Sequence, residues 1–114
     1  MKSDRVKAPP MKPSKPKPTL EIVHGILDQA IKETGGRAVT YDSPQGEESM
    51  PKAVKVFNAL FDKDLTVSEG WQFMSILKKV RSIQGEFKMD NHVDDCAYAA
   101  FAGKALQEEK RGEE

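Results

Sequence analysis

The sequence predicts an all-α fold: a four-helix, bundle-like domain behind a disordered N-terminal arm. Three observations carry that expectation. Apolar residues recur with a helical period in four separate stretches. Each stretch begins or ends at proline, glycine or a capping residue. No strand pattern interrupts them, and Val39-Thr40-Tyr41 is short enough to be extended loop. At 114 residues the chain holds one domain, and a domain of that size buries a modest core.

Residues 1–18, MKSDRVKAPPMKPSKPKP, form the arm. They carry five of the seven prolines, and six cations against Asp4 alone. Proline fixes φ and removes donors, and the lysines repel one another. The expectation is an extended segment with local polyproline II character. The remaining residues hold 12 basic and 17 acidic side chains, so a basic arm precedes an acidic body. Such asymmetry suits an anionic partner, a protein partner or an arm resting on its own domain. Contact with nucleic acid would rest on charge alone, because the arm has no aromatic ring to stack on bases.

Residues 19–110 form the helical domain, and 111–114 a frayed end. Helix one is expected from Thr19 to Thr34. Thr19 can cap it, Glu21 favours its first turn, and Leu20, Val23, Leu27, Ala30 and Ile31 keep the period. Gly35-Gly36 should stop it. Residues 37–49 read as loop, with turn chemistry at Asp42-Ser43-Pro44 and Gly46. Helix two should start near Met50-Pro51 and end near Asp62, with Val54, Phe57, Leu60 and Phe61 inward. Helix three has the clearest start: Thr66-Val67-Ser68-Glu69 is a capping box. It should reach about Ile83, and Gly85 should break it. Helix four should span about Asp90 to Glu109.

Charge placement raises the functional question. On helix three, Trp71, Met74, Leu77, Phe73, Val80, Ile76 and Ile83 cover a wide apolar arc. Gln72, Ser75, Lys79 and Ser82 take the narrow polar face. Lys78 and Arg81 fall inside the apolar arc, one turn apart, so both can reach one point. On helix four, Val93, Cys96, Ala97, Ala100, Phe101 and Ala105 make the core stripe. Asp94 falls inside it, Asp95 lies nearer solvent, and Asp90, Asp94 and Tyr98 stack four residues apart. A short loop makes the two helices antiparallel neighbours, which sets Lys78 and Arg81 against Asp94 and Asp90.

Two readings of this cluster follow. One is a semi-buried ion-pair network. Desolvation costs several kcal/mol per ion, and pairing often only offsets that, while long cationic side chains can also reach out to water. The other is a polar pocket at the bundle edge. Lysine and arginine together suit phosphate or carboxylate. Asp90 and Asp94 could hold Mg²⁺, which prefers oxygen ligands. Tyr98, Tyr41 and Arg37 would complete the lining. His24 has no second histidine or cysteine at ligand spacing, and His92 lies away from the helix-four stripe. Cys96, the one cysteine, reads as a small core hydrophobe. It permits no intramolecular disulfide, as suits a reducing compartment. No apolar run reaches the roughly 18 residues of a membrane span. The N-terminal charge has no apolar stretch behind it, so it does not read as a secretory signal, and a cytoplasmic location is the expectation.

These residues resemble a known set. Arg37…Thr40-Tyr41-Asp42-Ser43-Pro44, Leu65-Thr66, Leu77-Lys78…Arg81 and Asp90…Val93-Asp94…Tyr98 are similar to a pattern of small helical proteins of tailed phages and prophages. That pattern runs R-x-x-x-Y-G-D-P, L-T, L-K-x-x-R, D-x-x-V-D-x-x-G-Y. Ser43 and Ala97 depart from it. The resemblance covers about residues 20–106 and implies a phage accessory protein in the cytoplasm of an infected bacterium. More distantly, the aspartate-bearing helix resembles the MazG-like nucleotide pyrophosphohydrolases, which hold Mg²⁺ with E-x-x-E and E-x-x-D. Here Glu47-Glu48 are adjacent in a loop, and no E-x-x-E lies in a helix opposite Asp94.

The expected function is binding of a phosphorylated small molecule, a nucleotide, at Lys78, Arg81, Asp90, Asp94, Tyr98, Tyr41 and Arg37. Binding of a host protein through the arm or apolar surface is one alternative. Mg²⁺-dependent pyrophosphohydrolysis is another. Trp71, Phe73 and Phe87 exceed what such a core needs, which points to a homodimer.

Overall fold

The computed structural model describes residues 19–41, with the side chains of 36–41 excepted, and residues 49–113. The arm at 1–18 and the turn at 42–48 lie outside them. Four helices follow in order: α1 (Thr19–Tyr41), α2 (Ser49–Phe61), α3 (Val67–Ser82) and α4 (Met89–Gly112). No strand occurs among the described residues, so the all-α expectation holds.

α3 and α4 form the central hairpin. α1 packs on α4, and α2 packs on α3. The hairpin core is aromatic and small in turn. Trp71 of α3 stacks on Tyr98 and Phe101 of α4, at centroid distances of 5.6 and 4.6 Å. Below them Ala102 and Ala105 keep α4 close. A second, smaller cluster joins Ala30 of α1 to Val93 and Ala97 of α4, with Ile26 and Cys96 at its edge.

Local signals explain most helix ends. The capping box of α3 is complete: Glu69 N–H donates to Thr66 Oγ1 at 3.1 Å, and Thr66 N–H donates to Glu69 Oε1 at 2.9 Å. α2 ends with Asp62 in the left-handed region, φ 55°, and Lys63 N–H donates back to Asn58 C=O, the closure typical of a helix stop. Asn58 then ties down the α2–α3 turn through both its amide atoms, each 2.9 Å from the backbone of Leu65. Gly85 breaks the chain after α3 with φ 68°.

Several expectations are corrected. Gly35-Gly36 does not end α1, which continues to Tyr41 through Val39-Thr40-Tyr41. Glycine permits a left-handed stop without imposing one. Inside a helix it costs only about 1 kcal/mol relative to alanine. On α2 only Val54 is buried, while Phe57, Leu60 and Phe61 are exposed. Among the described side chains of α1 only Ala30 is buried, and Leu20, Val23, Leu27 and Ile31 face outward. The wide arc of α3 is likewise divided. Trp71 is buried, yet Phe73, Ile76, Val80 and Ile83 are exposed. Ser75, assigned by spacing to the polar face, is buried against α4. Ala100, assigned to the α4 stripe, is exposed. α1 packs mainly on α4 and α2 mainly on α3, so the broad apolar faces of these outer helices are only partly used. The expected end of α4 also differs. Glu109, rather than fraying, accepts from Ser68 N–H at 3.0 Å and Ser68 Oγ at 2.8 Å. It thereby supplies negative charge to the N-terminus of α3.

Candidate functional site

The chain reverses between α3 and α4 over residues 83–88, and the reversal leaves a cleft. It is lined by Lys78, Arg81, Gln84, Gly85, Glu86, Lys88, Asp90 and Asn91, with a volume of about 480 Å³. Ligand clefts run from about 300 to 1,000 Å³, so a nucleotide-sized molecule is within range.

Lys78 and Asp94 are the anchor. Both are buried, and Lys78 Nζ lies 2.7 Å from Asp94 Oδ2. The helical projection placed them inside apolar arcs, and α3–α4 packing brings those arcs together. The partner expectation, Arg81 with Asp90, is not met. Both side chains line the cleft and are exposed, and neither makes an ion pair among the described residues. The cause lies in position: both sit where the helices diverge toward the turn. Among the described residues Arg81 is therefore a cation at the cleft without an ionic partner. Lys88, which the sequence reading passed over, is a second.

The N-terminus of α4 also opens here. Its N-cap is Lys88, which makes no side-chain capping bond. The first amides of a helix attract anions. Asn91 is the least expected member. It is 8% exposed, it lines the cleft, and its side-chain amide has no partner among the described residues. A buried polar group without a partner costs about 1–3 kcal/mol, so a ligand or water that meets it recovers that cost.

On the α1 side, Glu33 joins Asp90 and Asp94. One carboxylate oxygen from each lies within 4.8 Å of the others. Three hard oxygen donors suit Mg²⁺ better than a softer metal. Glu33 was missed because it comes from α1. Its only sequence signal was its place beside Ala30 on the face that packs against α4.

Other expected members stand apart. Tyr98 does not line the cleft; it is buried against Trp71. The side chains of Arg37 and Tyr41 lie outside the described residues. Asp95 forms a separate surface cluster, with Lys79 Nζ at 2.8 Å and a hydrogen bond from Ser75. Burial alone would raise the Asp95 carboxyl. Hydrogen bonds from Lys79 and Ser75, with the charges of Lys79 and His92, outweigh it and hold the carboxyl below the ordinary 3.8. His92 is exposed and stacks on Phe87.

The family model described as a domain of unknown function, DUF6378, matches residues 25–106. That span contains Glu33, all of α3, α4 as far as Leu106 and every described residue of the cleft. The chain belongs to the DUF6378 family. No curated protein and no solved structure matches it. The matched span stops short of the arm and takes in the Ala30–Val93–Ala97 contact, so the DUF6378 domain includes the packing that brings Glu33 to Asp94. No helix of the described residues is long and apolar enough to cross a membrane.

Proposed function

We propose that this DUF6378 protein binds a phosphorylated small molecule, a nucleotide, in the α3–α4 cleft, with a divalent cation on its acidic lip. The carrying observation is a cleft lined by Arg81, Lys88 and Asp90, the two cations without an ion pair among the described residues, with Glu33 and Asp94 grouped on Asp90 beside it. Cations there suit phosphate oxygens, and a carboxylate-held Mg²⁺ commonly bridges to phosphate. Lys78 is already engaged by Asp94, so its role is to orient that carboxylate. Asn91 offers the ligand a donor and an acceptor. The resemblance to phage proteins supports an accessory role in an infected cell.

A thermal-shift series with nucleoside mono- and triphosphates, with and without Mg²⁺, tests this. The expected result is a melting-temperature rise that Arg81→Ala and Lys88→Ala abolish and that Asp90→Asn makes independent of Mg²⁺. A flat wild-type series overturns the reading.

Glu33 favours a second reading, Mg²⁺-dependent release of pyrophosphate from a nucleoside triphosphate. The sequence showed no carboxylate on a helix facing Asp94, and α1 places one there. Phosphate assay of the products separates hydrolysis from binding.

A further inference from the structure

Away from the cleft, α3 carries a second unexplained feature. The helix turns Trp71, Ser75 and Lys78 toward α4. Its opposite side bears Phe73, Ile76, Val80 and Ile83, all exposed. Their spacing makes one stripe about 15 Å long. At the N-terminal end of the stripe, Phe73 lines the rim of a groove between α2 and α3. That groove has a volume of about 390 Å³, and Met50, Ala53, Phe57 and Leu65 share its lining. At the other end Ile83 projects with 84% of its surface exposed. The chain therefore has a hole without a knob and a knob without a hole.

Neither residues 1–18 nor residues 42–48 have the composition to cover this face. Besides proline, residues 1–18 offer only Met1, Val6, Ala8 and Met11 as apolar side chains, and 42–48 offer none. The stripe, with Phe57 of the groove and Phe61 against it, exposes on the order of 700 Å² of side chain. A standard interface buries about 800 Å² on each partner, and soluble monomers seldom leave so large an apolar patch open.

We propose that a second copy of this chain closes the face in a two-fold dimer centred on α3. A two-fold contact must be self-complementary. Antiparallel α3 helices meeting near residue 78 set Ile76 against Val80 of the partner subunit. The same operation carries Ile83 of the partner subunit to the groove beside Phe73, and the reverse. Lys78 faces α4 on the other side of the helix, so the dimer leaves the cleft open.

Size-exclusion chromatography with light scattering on the full chain tests this. The expected mass is twice the 12.7 kDa of one chain. Ile76→Glu and Val80→Glu should each give the single-chain mass with unchanged helical circular dichroism. Leu27→Glu, on the exposed stripe of α1, should leave the dimer intact. Should the glutamates unfold the chain, Ile83→Ser is the milder variant, expected to raise the dimer dissociation constant at least tenfold with the fold retained. A monomeric wild type, an unchanged constant in Ile83→Ser, or a dimer broken by Leu27→Glu and not by Ile76→Glu overturns the proposal.

Discussion

Lys78 and Asp94 show how one contact can serve the fold and a site together. Each is a buried charge, and among the described residues each is the other's ion-pair partner. Lys78→Met should therefore destabilise by about 3–5 kcal/mol, because Asp94 keeps its charge without a partner. Replacing both, Lys78→Met with Asp94→Leu, should recover most of that loss in urea unfolding, while any Mg²⁺-dependent ligand response disappears. A double variant as unstable as the single one would show that the pair is worth more to the fold than its desolvation costs. Asn91 calls for the opposite sign. Asn91→Leu removes an amide with no partner among the described residues, so the ligand-free protein should gain about 1 kcal/mol, and the nucleotide-induced shift should be lost. Asp95 carries a pH signature. Its carboxyl is held below 3.8 in the folded chain, so its contribution is complete above that value. It is lost as pH falls through the lower folded value. Acid titration of Asp95→Asn by circular dichroism should show a shallower loss of stability below about pH 4.

The helices differ in how readily the sequence discloses them, and the difference is one of range. Thr66 and Glu69 lie three residues apart, so their reciprocal bonds could be read directly. The clamp of Glu109 on Ser68 spans 41 residues and has no local signature. Glu33 has none either, since its meeting with Asp90 and Asp94 depends on α1 crossing α4. Lys78 and Asp94 were legible for another reason: a charge inside an apolar arc must find a partner wherever the arc packs. The apolar faces misled because periodicity reports which side of a helix is apolar, not how much of that side a neighbour covers. Gly70 marks the closest approach of α2 to α3. A Cβ added there would lie 2.6 Å from Met50 Sδ and 2.9 Å from Val54 Cγ2. The methionine can move, but the β-branched valine is stiff. Gly70→Ala should thus destabilise by about 1–3 kcal/mol, overriding the roughly 1 kcal/mol that alanine would otherwise gain in a helix. At the end of α2, Asp62 holds a left-handed conformation that glycine adopts freely. Asp62→Gly should raise stability by several tenths of a kcal/mol or more, read from the urea midpoint.

At the scale of the whole molecule, the packed interior is small for the apolar surface the chain carries. Its buried members are mainly alanines around Trp71, Tyr98 and two valines, and no large side chain is completely enclosed. α1 rests mainly on α4 and α2 mainly on α3. A domain with so little interior has a slender margin over conformational entropy. If a second copy completes the apolar face, part of the folding free energy belongs to association, and stability becomes a function of protein concentration. The melting temperature of the wild type should then rise as concentration is raised a hundredfold, whereas that of Ile76→Glu should stay constant and lie lower. The same series separates association from ligand binding, since the cleft lies on the other side of α3. A nucleotide response, measured at fixed protein concentration, should persist in Ile76→Glu. Its loss there would mean that the cleft needs the assembled dimer to hold its shape, and would tie the two faces of α3 into one mechanism.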